Sequence, residues 1–186
     1  ILHFGLGNFH RAHQAVYLDA LFNMGRSRDW GIIGTGVRSA DRAMHDALKP
    51  QDWLTTVVEQ EANVSRARVT GAMLGMIPPE DRAAIVRQLA DPAIRIVSIT
   101  VTEGGYFIDP ATGQFNPELP EIAADGTNPS DPQTVFGLIA LGLKKRRAAG
   151  TTPFTVMSCD NIPHNGVVAR NAVAGVARLW DKDLAD

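Results

Sequence analysis

Gly5-Leu6-Gly7-Asn8-Phe9-His10 is the first stretch whose residue types and spacing imply chemistry. Gly5 permits a tight turn and Gly7 lets a phosphate approach the backbone, while the helix expected next would offer free N–H groups to a pyrophosphate. His10 stands where a G-x-G-x-x-G fingerprint has its third glycine. Two glycines in a turn are more often only a turn, but a position between a first strand and a first helix is the context this motif needs. Asp41 comes just past a second strand, where a carboxylate can accept both hydroxyls of an adenosine ribose and favour NAD over NADP. It could equally cap a helix, and the neighbouring Arg38 is suited to a 2′-phosphate.

Two further stretches follow strands. In Ser158-Cys159-Asp160-Asn161-Ile162-Pro163-His164-Asn165-Gly166, the side chains of Asp160, Asn161 and His164 are candidates to touch a substrate. An Asn161 amide can donate to a developing oxyanion without adding a titrating charge. The alternative is an Asx-type turn that caps the next helix. In Thr102-Glu103-Gly104-Gly105, Glu103 could orient a nicotinamide or relay a proton, or merely begin a glycine turn. Cys159 reads as a small core residue, His3 as structural, and His3, His10 and His13 lack the pattern of a zinc site. A carboxylate after the second strand also suits S-adenosylmethionine, so a methyltransferase and a non-catalytic nucleotide-binding module are the rival readings.

The elements that must position these residues alternate between strand and helix, which predicts an α/β fold with a largely parallel sheet. Strands are expected over 1–5, 30–37, 94–101 and 154–158, the third of them central, with a strand pair over 53–59 and 66–72 joined by a polar turn. Helices are expected over 10–24, after Arg38–Asp41 as far as Pro50, from Pro78-Pro79-Glu80-Asp81 to Ala90, from Asp131-Pro132 to Gly150, and from Asn165 onward. In the last of these Val168, Ala172, Val176 and Leu179 share a face, and no stop signal precedes Asp186, so the chain reads as continuing. Residues 102–132 form an unusually long Gly-, Pro-, Asn- and Asp-rich excursion, the kind that often covers a site. Lys144-Lys145-Arg146-Arg147 falls in the last turns of a helix, where cations favour the dipole and face water.

Composition narrows the function classes. The 186 residues are 45% hydrophobic and 20% charged, which suits one soluble domain with an adequate core. With 18 basic and 20 acidic residues there is no positive field to bind nucleic acid. No run approaches a membrane span, and the single cysteine points to a reducing cytoplasm.

The segments HFGLGNFHRAHQAVYLDAL, WGIIGTGVRSADR, IRIVSITVTEGGYFID and PFTVMSCDNIPHNG extend in order over nearly the whole chain. Together they resemble the polyol-specific long-chain dehydrogenases and reductases. The resemblance implies a Rossmann-like, doubly wound NAD-binding domain over 1–186, its mostly parallel sheet covered by helices on both faces. In full-length members a mostly helical domain follows. It implies metal-free oxidation of a polyol secondary alcohol to a ketose, mannitol to fructose for example, and the reverse reduction. Carried onto this sequence, it assigns Gly5, Gly7 and Phe9 to the pyrophosphate turn; Asn8, Thr102 and Glu103 are further expected to bind the cofactor. Asp41 becomes the acid that selects NAD, with Ala40 where a second acid sometimes stands, which leaves NADP open. Asn161 becomes a catalytic oxyanion-hole amide in contact with the polyol or ketose substrate. The family's general base is a lysine of the further domain, and none of Lys49, Lys144, Lys145 or Lys182 has matching surroundings. Hexuronate (fructuronate or tagaturonate) reductases share much of this pattern, but Ile162-Pro163-His164 is more similar to the polyol enzymes.

Overall fold

β1 (Leu2–Phe4) is buried on both sides, Leu2 and Phe4 facing one apolar layer and His3 the other. A computed structural model describes residues 1–109 and 111–186, without the side chain of Glu103. Five parallel strands run in the order β5-β2-β1-β6-β7, with β2 (Ile32–Thr35), β5 (Met73–Met76), β6 (Ile96–Ile99) and β7 (Thr155–Ser158). The chain leaves β1 in one direction and returns on its other side at β6, so the topological switch point lies between their C-terminal ends. β1, not β6, is therefore the middle strand.

One face of the sheet is covered by α4 (Arg82–Ala90), α6 (Val135–Ala148) and α7 (Asn165–Trp180), whose Leu89, Phe136, Ile139 and Val176 pack with Leu2, Phe4 and Val97. The other carries α1 (Asn8–Ala12), α2 (Gln14–Asn23) and α3 (Ser39–Leu48), with Leu18, Ile32, Leu48 and Met73 in a second cluster. The expected strand pair is present as the antiparallel hairpin β3 (Thr55–Gln60) and β4 (Ser65–Thr70).

Several elements differ from expectation. The first helix breaks at His13 (φ −128°, ψ −83°), and nothing explains the break beyond the ring contacts that accompany it, Phe9 stacked on His13 and Tyr17 meeting His13 edge-on. The excursion holds α5 (Pro120–Thr127), anchored by Ile122 and by the Trp180 indole N–H, which donates to the Asp125 carbonyl at 2.7 Å. α6 starts three residues beyond Asp131-Pro132, because the buried Asp125 carboxylate accepts the N–H groups of Gln133 (2.6 Å) and Thr134 (3.1 Å). The Thr134 hydroxyl then caps the helix by accepting the Gly137 N–H at 3.0 Å. α7 ends at Trp180, and Asp181 caps the short α8 (Lys182–Ala185) by accepting the Asp183 N–H. Leu179 is exposed, so the buried stripe of α7 is Ala169, Ala172, Val176 and Ala177. No helix is long and apolar enough to cross a membrane among the described residues.

Candidate dinucleotide site

Gly5 closes β1 in a conformation open to glycine alone. Its φ is +96°, and a Cβ there would lie 2.1 Å from the Thr100 carbonyl oxygen. Three donors fix its own carbonyl: the Gly7 N–H at 2.8 Å, the Thr100 hydroxyl at 2.6 Å and His3 Nε2 at 3.0 Å. A carbonyl only accepts, so His3 carries its proton on Nε2, and Nδ1 faces the Ser98 hydroxyl at 2.7 Å. Gly7 is the converse case, since a Cβ on it would meet nothing within 4 Å. The protein leaves the space above Gly7 open.

Beyond β2, Gly36 lets the Asp41 side chain fold back. A Cβ at Gly36 would lie 2.1 Å from Asp41 Oδ2, which accepts the N–H groups of Val37 (3.1 Å) and Arg38 (2.9 Å). Asp41 thus braces the loop that begins α3, and its second oxygen has no hydrogen bond to a described residue. Gly5, Arg38 and Asp41 line a cavity of about 300 Å³ at the switch point, together with Thr100, Val101 and Phe107. Glu121, Gln133 and Val135 close its far side. Sequence reasoning missed Phe107, Glu121 and Gln133, because only the folded excursion delivers them; no local signal marks them. A larger hollow of about 620 Å³, between α4 and α6, lies away from the strand ends where open α/β sheets bind ligands.

Of the other assigned residues, Gly7, Asn8, Phe9, Thr102 and Asn161 do not line this cavity, and Asn8 borders a separate hollow beside β3. Asn8 is exposed and accepts from Arg11, and the half-exposed Phe9 stacks on His13 at 4.7 Å between ring centroids. The five-residue α1 carries a smaller dipole than the long helix expected there. Thr102 and Asn161 lie in the loops that follow β6 and β7. Glu103 opens a one-turn helix, Glu103–Tyr106, and its side chain lies outside the described residues. Asn161 is exposed, and its amide bonds to no described residue. The Asp160 carboxylate turns toward the β6 loop instead of outward, and Asn165, not Asp160 or Asn161, braces the start of α7 by donating to the Ser158 and Asp160 carbonyls. Cys159 is half-buried, and burial, with Asp160 beside it, pushes its thiol pKa up. No cluster of three or more potential metal ligands occurs among the described residues.

Beneath the turn, His3 and His10 stack with ring centroids 3.6 Å apart. Both are buried, and neither nitrogen of His10 has a partner at good hydrogen-bond geometry among the described residues, although the Gln14 side chain lies close enough to favour its charged form. Burial, followed by the neighbouring charge of His10, holds His3 well below the usual imidazole range, against the bond to Gly5. Burial lowers His10 to about 4, with Gln14 acting in the opposite direction and Arg11 adding to the drop. In the unfolded chain His10 binds a proton below its ordinary value of 6.5, a proton the fold refuses down to about 4. Stability is therefore expected to fall as pH drops through that window, by about 3 kcal/mol from His10 alone, a contribution that is complete below it. Urea titrations at pH 7 and 4.5 should show a smaller difference for His10→Phe than for the unaltered chain. An equal difference would mean that His10 titrates normally.

A parallel sheet with a glycine turn at its switch point and an acid after the second strand defines a dinucleotide-binding α/β domain. The chain belongs to a more specific family, the mannitol dehydrogenase Rossmann domain, whose family model matches residues 1–186. It is 57% identical to a mannitol 2-dehydrogenase of Cereibacter sphaeroides and 46% to a polyol:NADP oxidoreductase of Gluconobacter oxydans. The whole chain is covered in both, but only 39% of each relative's length. It superposes with a TM-score of 0.95, at 50% identity, on a Pseudomonas fluorescens mannitol 2-dehydrogenase solved with NAD and D-mannitol, and covers 38% of it. A substrate-free D-sorbitol dehydrogenase superposes with a TM-score of 0.92 at 44% identity.

Proposed function

We propose that this chain is the NAD-binding part of a polyol 2-dehydrogenase that interconverts mannitol and fructose in the cytoplasm. Residues 1–186 would form one Rossmann-like domain that works with a mostly helical domain of the same protein. The observation that carries this reading is the switch-point cavity, which Gly5 and Asp41 both line, with Gly7, whose surface is open, just beyond Gly5 in the chain. That the relative solved with NAD and D-mannitol shares the fold throughout supports the choice of ligand.

Gly5, Gly7, Asn8 and Phe9 would hold the pyrophosphate, and the free oxygen of Asp41 a ribose hydroxyl. Val101 and Phe107, which line the cavity, would give the adenine apolar walls. Bound there, NAD would accept the hydride released as the secondary alcohol becomes a ketone. Thr102 and Glu103 would border the nicotinamide, and the Asn161 amide would donate to the oxygen of the reacting C–O bond as negative charge develops on it. Proton removal from the hydroxyl needs a base that these residues do not supply, and the helical domain would bring it as a lysine.

Arg38 on the cavity wall, with Ala40 beside Asp41, favours some acceptance of NADP, and the similar Gluconobacter protein is a polyol:NADP oxidoreductase. Calorimetric titration of the full-length protein with both nucleotides tests the reading. NAD should bind more tightly, and Asp41→Ala should narrow the preference roughly tenfold while removing about 1 kcal/mol of loop and cap stability. Failure of folded protein to bind either nucleotide at millimolar concentration would overturn it.

A further inference from the structure

The loops after β6 and β7 are joined through one side chain. Oδ1 of Asp160 accepts the Thr102 N–H at 3.1 Å, while Oδ2 accepts the Val101 N–H at 3.0 Å and the Tyr106 hydroxyl at 2.6 Å. Tyr106 reaches it from within the core, where its ring is fully buried against Phe136, and its oxygen also lies 2.6 Å from the Ser158 hydroxyl. Burial first, and then the bond to Asp160, raise the Tyr106 pKa, so it stays a donor.

The backbone of Asp160 is held as firmly. Its carbonyl accepts the Ile162 N–H at 3.0 Å, which closes a three-residue turn with Asn161 at the apex. Asn165 Nδ2 donates to the same carbonyl and to that of Ser158, both at 3.2 Å. Asn161 thus has a pinned backbone and an amide that bonds to no described residue. Across the gap, Thr102 has φ +66° and ψ 165°, a conformation costing a β-branched residue about 1–3 kcal/mol unless its surroundings hold it. The bond from Asp160 to its N–H supplies such a hold.

We infer that Asp160 is a positioning residue for the dehydrogenase reaction, its carboxylate locking the β6 and β7 loops into one platform that fixes the Asn161 amide relative to Thr102. Asp160 itself touches neither cofactor nor substrate, since its three bonds face the protein. The inference rests on the function proposed above, but the clamp can be tested apart from it.

Asp160→Asn keeps the shape but replaces one carboxylate oxygen with an NH2, so only one of the two backbone N–H groups keeps its acceptor. In the full-length protein with NAD and D-mannitol, kcat should fall roughly 10–100-fold, the loss expected when a catalytic group shifts by about an ångström. KM for NAD should rise by a smaller factor than kcat falls, because the pyrophosphate turn and Asp41 are untouched while Val101 and Thr102 are held less firmly. Tyr106→Phe, which leaves both backbone bonds to the carboxylate in place, should show a smaller loss of kcat. Hydrogen exchange supplies the second readout: in Asp160→Asn, segments 101–106 and 160–165 should lose protection together. Unchanged exchange in both segments, or loss in only one, would overturn the clamp whatever the kinetics. Joint loss of protection in a protein that turns over no polyol would leave the clamp standing and remove the proposed activity.

Discussion

Arg146→Met is expected to lower the stability of this chain by about 3–5 kcal/mol, far more than loss of a surface cation. Arg146 is buried within α6, and its guanidinium donates to four backbone carbonyls: those of Leu89 (2.7 Å), Ile94 (2.7 Å), Thr152 (2.6 Å) and Asp91. These oxygens belong to the end of α4, the turn into β6 and the approach to β7, so one side chain joins three connections under the sheet. Its plane also lies over the Phe154 ring, 4.8 Å from the centroid. Burial lowers its pKa, with Asp91 opposing, but an arginine keeps its charge. Methionine fills much of the volume and leaves four acceptors without donors. Lysine, a point charge with three donors, should recover only part of the loss. Urea unfolding of the three proteins checks this, and a change below about 0.5 kcal/mol for Arg146→Met would show that water replaces the guanidinium at no cost.

The solvent-facing role expected for Arg146 fails for a reason the sequence itself contains. Leu138 and Gly142 are buried on α6, and Arg146 follows at the same four-residue spacing, so it continues the inner stripe. Charge alone suggested water; phase would have placed it inside. Strands rich in β-branched residues were legible, whereas Met73-Leu74-Gly75-Met76 was passed over because only its pairing with β2 makes it a strand. α5 was hidden in a Gly- and Asn-rich stretch, where burial of Ile122 and the contact with Trp180 outweigh weak local propensity. The site divides the same way. Gly5 and Asp41 were readable because turn geometry and position after a strand are local properties. For Asp41 one carboxylate oxygen braces the loop, as the capping reading expects, and the other bonds to no described residue, which is what the ribose reading requires. Phe107, Glu121 and Gln133 were not readable, since the excursion reaches the cavity only through its tertiary course. Asp160 pointed to substrate by its place after β7, yet its carboxylate is taken up by the neighbouring loop.

Gly7 separates what the protein needs for itself from what a ligand needs. Its φ of −69° is open to any residue, and a Cβ there meets no protein atom within 4 Å. Gly7→Val should therefore fold with nearly unchanged stability, unlike any substitution at Gly5, where the Thr100 carbonyl stands in the way. If a pyrophosphate lies against this turn, the added methyl groups occupy its place and push it away from the backbone donors. Loss of two or three such charge-assisted bonds corresponds to roughly 100-fold or more in affinity. The central claim is that the strand-end turn holds the dinucleotide, and its most direct test is calorimetric titration of the full-length protein and its Gly7→Val variant with NAD, alongside their thermal midpoints. Equal midpoints with NAD affinity reduced about 100-fold in the variant is the predicted result; equal midpoints with equal affinity would place the dinucleotide elsewhere and contradict the account.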